Sequence, residues 1–189
     1  MPTGGDHGKG EVGVRRVVIV QPYVPSYRVR FFEELSVLLQ SAEIECVVAA
    51  GAPRGGQALR GDSVAPGWST TIQHRALKFR GNELILGGSH QAWKGADGVI
   101  LGNRGTSLDN YQAMLARKVG RLRVGIWGHL RDYGRPANKL DRALERVQLR
   151  QADHVFAYVR SGSEYAASIG VSEARITTVM NTIDDSALT

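Results

Sequence analysis

Short β-branched runs alternate with stretches of helical periodicity along almost the whole chain, and this alternation limits the possible folds more than any other feature. Arg16-Val-Val-Ile-Val-Gln-Pro22 is a β-branched run closed by proline and reads as a buried strand. Between Tyr27 and Gln40, residues Phe31, Phe32, Leu35, Leu38 and Leu39 recur at helical spacing and predict an amphipathic helix. Ile44 to Ala50 is a second strand, and Thr70 to Phe79 a weaker one. Gly51 to Gly67, rich in Gly, Ala, Pro and Arg, reads as a loop or a solvent-facing insertion. Glu83 to Lys94 reads as a short helix interrupted at Gly87-Gly88.

The same rhythm continues to the end. A strand over Asp97 to Gly102 precedes a helix over Thr106 to Val119, with Gly120 just past its end. A strand from Arg123 to Trp127 leads to a helix over Pro136 to Gln151, with proline in its first turn. A strand over Asp153 to Tyr158 is followed by a capping box, Ser161-Gly-Ser-Glu164, whose helix closes at Gly170. Arg175 to Met180 is the last strand. Short connections between alternating elements predict a parallel, doubly wound α/β sheet over residues 15–184. Met1 to Val14 holds five glycines and no apolar pattern, and reads as a disordered leader. Residues 185–189 read as the start of a linker.

Composition narrows the function. With 42% hydrophobic and 22% charged residues, the chain is not disordered throughout. No apolar run approaches the roughly 20 residues that cross a bilayer. The one cysteine, Cys46, excludes an intrachain disulfide and a four-Cys zinc site, and fits a reducing cytoplasm. His7, His74, His90 and His154 share no metal-ligand spacing with one another, so no metal is expected. The net charge of +6 favours an anionic partner: nucleic acid, an acidic lipid surface or a phosphorylated substrate. No RRM, KH or zinc-finger pattern supports nucleic acid. The bases gather in two predicted helices, as Arg117, Lys118, Arg121 and Arg123, and as Lys139, Arg142, Arg146 and Arg150. The second also carries Leu140, Leu144, Val147 and Leu149, so it suits either an anionic membrane surface or ordinary packing on a sheet.

In doubly wound sheets, ligands bind beyond the carboxyl ends of the strands. The first such end offers Tyr23, Tyr27 and Arg28 in a loop stiffened by Pro22 and Pro25. It has neither G-x-G-x-x-G nor G-x-x-x-x-G-K-[ST], which excludes the dinucleotide and P-loop signatures. A cation at a predicted helix N-terminus is unfavourable, so Arg28 implies an anionic partner. Asn103-Arg104-Gly105 follows another strand, with two side chains able to hydrogen-bond a polar ligand. Trp127-Gly128-His129 follows the next, offering an indole for a sugar face and an imidazole for hydroxyl or phosphate oxygens. Tyr158 and Asn181 stand at the last two strand exits. For the tyrosines edge packing, and for the histidine a structural role, are the alternatives.

Three of these segments, taken in order, resemble family-4 glycosyltransferases of the GT-B fold. Pro22-Tyr-Val-Pro-Ser-Tyr-Arg-Val-Arg-Phe-Phe-Glu33 resembles their first loop and helix, and Trp127-Gly-His129 their acceptor-side motif. Ala152-Asp-His-Val-Phe-Ala-Tyr158, with Ser161 to Gly170 and Val179-Met-Asn-Thr-Ile-Asp184, resembles the end of their N-terminal domain. The resemblance implies a Rossmann-like, acceptor-binding domain of a retaining enzyme that needs no cofactor, the nucleotide-sugar being a co-substrate held mainly by a second domain. It implies that Tyr23 to Arg28 line the cleft floor, Arg28 sharing the charge of the leaving phosphate. His129 would contact the acceptor or the transferring sugar. Asn103, Trp127 and Tyr158 would shape the acceptor pocket, and Asn181 would lie near the hinge. The first loop departs from many relatives by having Pro25-Ser26 where they have a Gly-Gly pair, and Met180 replaces a usual proline. The family's E-x7-E donor glutamates are absent.

The leading expectation is therefore the acceptor-side half of a retaining glycosyltransferase, inactive alone. Its acceptor would be a saccharide or a lipid-linked saccharide, and its place the cytoplasm, with possible attachment to the inner membrane face. The alternatives are a non-catalytic module that pairs with a donor-binding subunit, and a basic nucleic-acid-binding α/β protein.

Overall fold

The computed structural model describes residues 15–73, 75–79, 82–86, 88–130 and 139–180, with backbone alone for 75–79 and 82–86. In chain order, β1 (Arg15–Gln21) is followed by β2 (Val24–Pro25), a 3-10 turn over Ser26–Arg28, α1 (Val29–Ser41) and β3 (Ile44–Ala50). A second 3-10 turn (Gly55–Arg60), β4 (Ser63–Val64), β5 (Thr70–Thr71), β6 (Arg75–Phe79) and β7 (Asn82–Leu86) come next. The rest is α2 (His90–Trp93), β8 (Gly98–Gly102), α3 (Leu108–Lys118), β9 (Arg123–Gly128), α4 (Lys139–Gln151), β10 (His154–Ala157), α5 (Arg160–Ser168) and β11 (Ile176–Thr178).

Seven strands form one sheet in the order β11-β10-β9-β8-β1-β3-β5, and every pairing in it is parallel. The doubly wound α/β architecture predicted from the alternation is therefore present. The chain winds outward from β1 through β3, then returns to β8 and winds the other way. That reversal puts the switch point between β1 and β8.

Strand alternation divides the core in two. On one face Ile19 and Val48 pack with Phe32 of α1 and with Trp127. On the other, Val18, Val20, Val124 and Ile126 pack under Ala113 and Met114 of α3, Leu149 of α4 and Ala166 of α5. Among the described residues, no helix is long and apolar enough to cross a membrane.

Three local expectations are corrected. Residues 83–86 are not helical. They belong to β7, which pairs antiparallel with β6 in a hairpin, Phe79 opposite Asn82. The β-favouring run Leu84-Ile85-Leu86 prefers a ladder, and the helix is confined to His90–Trp93. The expected strand over 70–79 is two pieces, β5 in the main sheet and β6 in that hairpin. The Gly51 to Gly67 stretch is largely exposed, as a solvent-facing insertion would be, and within it β4 pairs with β2 and ties the excursion to the first loop. The capping box does not form: α5 begins at Arg160 behind the extended Val159, with no side-chain cap. Glu164 instead pairs with Arg160 one turn away, at 3.2 Å, and Ser163 Oγ bonds Thr178 Oγ1 at 2.5 Å. The expected leader, residues 136–138 of the expected fourth helix, and Asn181 lie outside the described residues.

Candidate functional site at the carboxyl edge of the sheet

Arg28 is the centre of the carboxyl edge. It is the last residue of the 3-10 turn and caps α1 with φ −102° and ψ −4°. Its side chain leaves the helix axis and lies buried among aromatic rings. The guanidinium carbon is 4.5 Å from the ring centroid of Tyr158, 5.3 Å from Trp127 and 5.8 Å from Tyr27. Nη1 donates to the Tyr158 hydroxyl at 2.8 Å. The anion that the sequence seemed to require is thus answered within the chain by π faces and a phenol oxygen. Burial pushes the Tyr158 pKa up and the Arg28 charge only partly offsets it, so the phenol stays neutral.

The other rings extend the cluster. Trp127 meets Tyr158 edge-on at 5.5 Å and Phe32 at 6.1 Å. The exposed His129 imidazole meets the same Tyr158 ring edge-on at 5.1 Å. Trp127 itself is buried, so it forms the floor and does not present an open stacking face. Gly128 adopts φ +148°, a conformation costly for any other residue. Leu130, two residues on, holds φ +62° with its side chain in the core, so the His129 turn is fixed from both sides. The Gly128 carbonyl accepts from the Tyr158 N–H at 2.9 Å, which joins the exits of β9 and β10.

Asn103 and Arg104 follow β8 beside this turn. The Asn103 N–H donates to the Trp127 carbonyl at 3.1 Å, and its Nδ2 approaches the Leu130 carbonyl at 3.5 Å. The Asn103 Oδ1 is buried with no hydrogen-bond partner among the described residues. Tyr23 is not part of the open cluster. It is buried, its hydroxyl 3.5 Å from Asp62 Oδ2. Burial raises its pKa; Asp62 reinforces the shift and Arg60 opposes it.

Three residues that the sequence reading passed over hold the site in shape. Asn110 Nδ2 donates to the Gly102 carbonyl at 2.9 Å and to Gln148 Oε1 at 2.8 Å. Gln148 Nε2 donates to the Arg104 carbonyl at 3.0 Å. Both amides are buried, and together they brace the Gly102–Gly105 turn from α3 and α4. Gly162 in α5 packs so closely on the His129 carbonyl that a Cβ there would sit 2.7 Å from the oxygen. The available signal was a polar residue, Gln148, at an inward position of an apolar helical stripe. Among the described residues, no group of three or more His, Cys, Asp or Glu could hold a metal.

No protein-family model matches the chain, and no curated protein matches it. Solved structures do. The UDP-GlcNAc 2-epimerase from Neisseria meningitidis bound to UDP-GlcNAc superposes with a TM-score of 0.53 at 15% identity, over 92% of this chain and 47% of that one. The UDP-GlcNAc 2-epimerase from Methanocaldococcus jannaschii gives 0.52 at 16%, over 92% and 47%. The lipopolysaccharide outer core galactosyltransferase WaaB, in its apo form, gives 0.51 at 15%, over 89% and 46%. The chain spans about half the length of the solved structures it matches. At these identities the likeness is one of fold: a Rossmann-like α/β sheet of the kind found in GT-B proteins.

Proposed function

We propose that this chain is the acceptor-binding half of a glycosyltransferase that moves a sugar, with retention, from a nucleotide-sugar to a hydroxyl acceptor. The supporting observation is the convergence of Arg28, Trp127, His129 and Tyr158 at the carboxyl edge, beside the switch point of a GT-B-like sheet. In this reading Arg28, held by the Tyr158 hydroxyl, contributes positive potential toward the leaving diphosphate. His129 contacts the acceptor hydroxyl or the transferring sugar, being the exposed titratable group of the cluster. Asn103, Arg104 and Tyr27 line the acceptor pocket, Trp127, Gly128 and Tyr158 give it its floor, and Tyr23 supports the wall. Asn181 would lie toward the hinge. The nucleotide would be gripped mostly by a second domain, so the chain alone binds acceptor weakly and turns over nothing. Neither a metal nor an organic cofactor is invoked, since the nucleotide-sugar is itself a reactant.

Two of the three solved structures named above are UDP-GlcNAc 2-epimerases, which favours a second reading, epimerisation of a sugar nucleotide. One assay separates the two. The longer protein that completes the cleft is incubated with UDP-hexoses, with and without saccharide and lipid-linked acceptors. Transfer releases UDP and a glycosylated acceptor only when acceptor is present, and Arg28→Gln and His129→Ala lower that rate by about a hundredfold or more. A sugar nucleotide inverted at C2 without acceptor would establish the epimerase reading, and turnover indifferent to both substitutions would sink the assigned site.

A further inference from the structure

The sequence offers Trp127 as a stacking surface, but in the fold that ring is buried. The open indole belongs to Trp68. It is 40% exposed, and among the described residues it is the one exposed Phe, Tyr or Trp. A tryptophan left uncovered forgoes the burial of a large apolar ring, so its exposure calls for a reason.

Trp68 is also held in place. It stands in a tight turn over residues 66–69, closed by the Ser69 N–H and the Ser69 hydroxyl, both donating to the Pro66 carbonyl at 2.9 Å. Its own Nε1–H donates to Glu33 Oε1 of α1 at 3.1 Å, so the polar edge of the ring is satisfied from within the chain. The ring meets Phe32 edge-on at 6.1 Å, and Phe32 lies 6.1 Å from Trp127. Two ring-to-ring steps thus link the exposed indole to the floor of the carboxyl-edge cluster. Thr70 and Thr71, just after the turn, pair with Ala49 and Ala50 at the carboxyl end of β3, so the ring rides on the main sheet.

A fixed indole face with a carboxylate at its edge has a defined chemistry. The face takes flat C–H surface, and carboxylate oxygens accept from hydroxyl groups. A pyranose ring of gluco or galacto configuration offers both on one body, a patch of axial C–H and a rim of hydroxyls. A cation would also suit an indole beside a carboxylate, but the net charge of +6 opposes its approach, and one open face is not an aromatic cage.

We infer that Trp68 and Glu33 form an outer sugar subsite, on which one ring of an oligosaccharide stacks. Resting on the transferase reading, this makes the acceptor a saccharide of two or more residues, one ring at His129 and another on Trp68. The Gly51 to Gly67 excursion then gains a role. Its β4–β2 pairing, with the Asp62 carbonyl accepting from the Ser26 N–H at 2.7 Å, anchors the chain just before the Trp68 turn to the first loop.

Saccharide binding to the chain alone tests the subsite without donor or second domain. Its failure leaves the transfer reading standing, and failed transfer leaves the subsite standing. The probes are cellotriose, chitotriose and β1,4-galactotriose, each against its monosaccharide, with arginine amide as the cationic alternative. The Trp68 indole N–H signal, assigned by its loss in Trp68→Leu, should shift with at least one trisaccharide at a concentration about tenfold or more below that at which the monosaccharide acts. Saturation transfer to the sugar protons reads the variants. Trp68→Tyr keeps a ring and should retain binding, whereas Trp68→Leu keeps only apolar bulk and should weaken it about tenfold or more. No shift with any trisaccharide, equally tight binding of the monosaccharide, full binding by the leucine variant, or a shift with arginine amide alone would overturn the inference.

Discussion

Replacing Gly162 by alanine should disturb the candidate site from behind, and the magnitude can be worked from the packing. Alanine in a helix ordinarily gains about 0.8–1.0 kcal/mol over glycine. Here the new methyl would lie 2.7 Å from the His129 carbonyl oxygen and 3.4 Å from the Ala157 Cβ. Carbon contacts settle near 3.5 Å, so the His129 turn must retreat by somewhat less than about 1 Å. The obstacle is backbone, and that backbone is held by Gly128 at φ +148° and Leu130 at φ +62°. Overpacking of this kind costs about 1–3 kcal/mol. The net is a loss of about 1 kcal/mol, or roughly 2–4 °C in Tm for a chain of this size. Calorimetry reads the loss, and the His129 imidazole and Trp127 indole resonances read the displacement. A variant that gained about 1 kcal/mol, with both resonances unmoved, would show that the turn yields freely and that Gly162 holds nothing in place.

Two further outcomes are expected. Tyr158→Phe keeps the edge-on rings but removes the oxygen that accepts from buried Arg28 Nη1; it should cost about 1–3 kcal/mol in urea unfolding and shift the Arg28 side-chain NMR signal, and an unaltered Arg28 signal would refute the role. Asp153, whose burial would raise its pKa, is held below the ordinary value by Arg117 at 2.9 Å, by the Val124 N–H and by Arg123. Its folded pKa lies below its unfolded one, so its stabilisation is present above about pH 4 and is lost as pH falls through the folded value. Asp153→Asn should therefore be less stable at neutral pH and lose less on acidification, and parallel acid titrations of the two proteins would contradict this.

Much of the scaffold was legible because β-branched runs and helical stripes are local signals, and a parallel sheet follows once they alternate. Val17-Val-Ile-Val20 and Gly98-Val-Ile-Leu101 mark central strands on their own. The hairpin was not legible in this way. Leu84 and Leu86 alternate, but Ile85 between them fills the pattern and lets a helix compete until the partner strand is known. The capping box failed for a similar reason: the chain leaves β10 extended through Val159, so the helix starts before its predicted cap. Arg28, Trp127, His129 and Tyr158, which the structure brings together, could be nominated because strand exits can be counted from sequence. Their joining was not visible, since Arg28 and Tyr158 lie 130 positions apart in the chain. Gln148 is marked in the sequence only by its inward position on an apolar stripe, and neither it nor Asn110 reveals its partners, two main-chain carbonyls, until the fold is in view.

The amide brace under the Gly102–Gly105 turn has a consequence for recognition. A turn whose carbonyls are already tied to α3 and α4 has little conformational freedom left to lose when a ligand arrives. Tyr111 adds a third tie, donating its hydroxyl proton to the Gly105 carbonyl at 2.8 Å. Gly105 has no room for a side chain, because a Cβ there would lie 2.6 Å from the Asp141 carbonyl oxygen. In the proposed reading, a guest at Asn103 would meet a surface set before it comes. Selectivity there would then come from how well the guest fits that fixed shape, since little induced rearrangement is on offer.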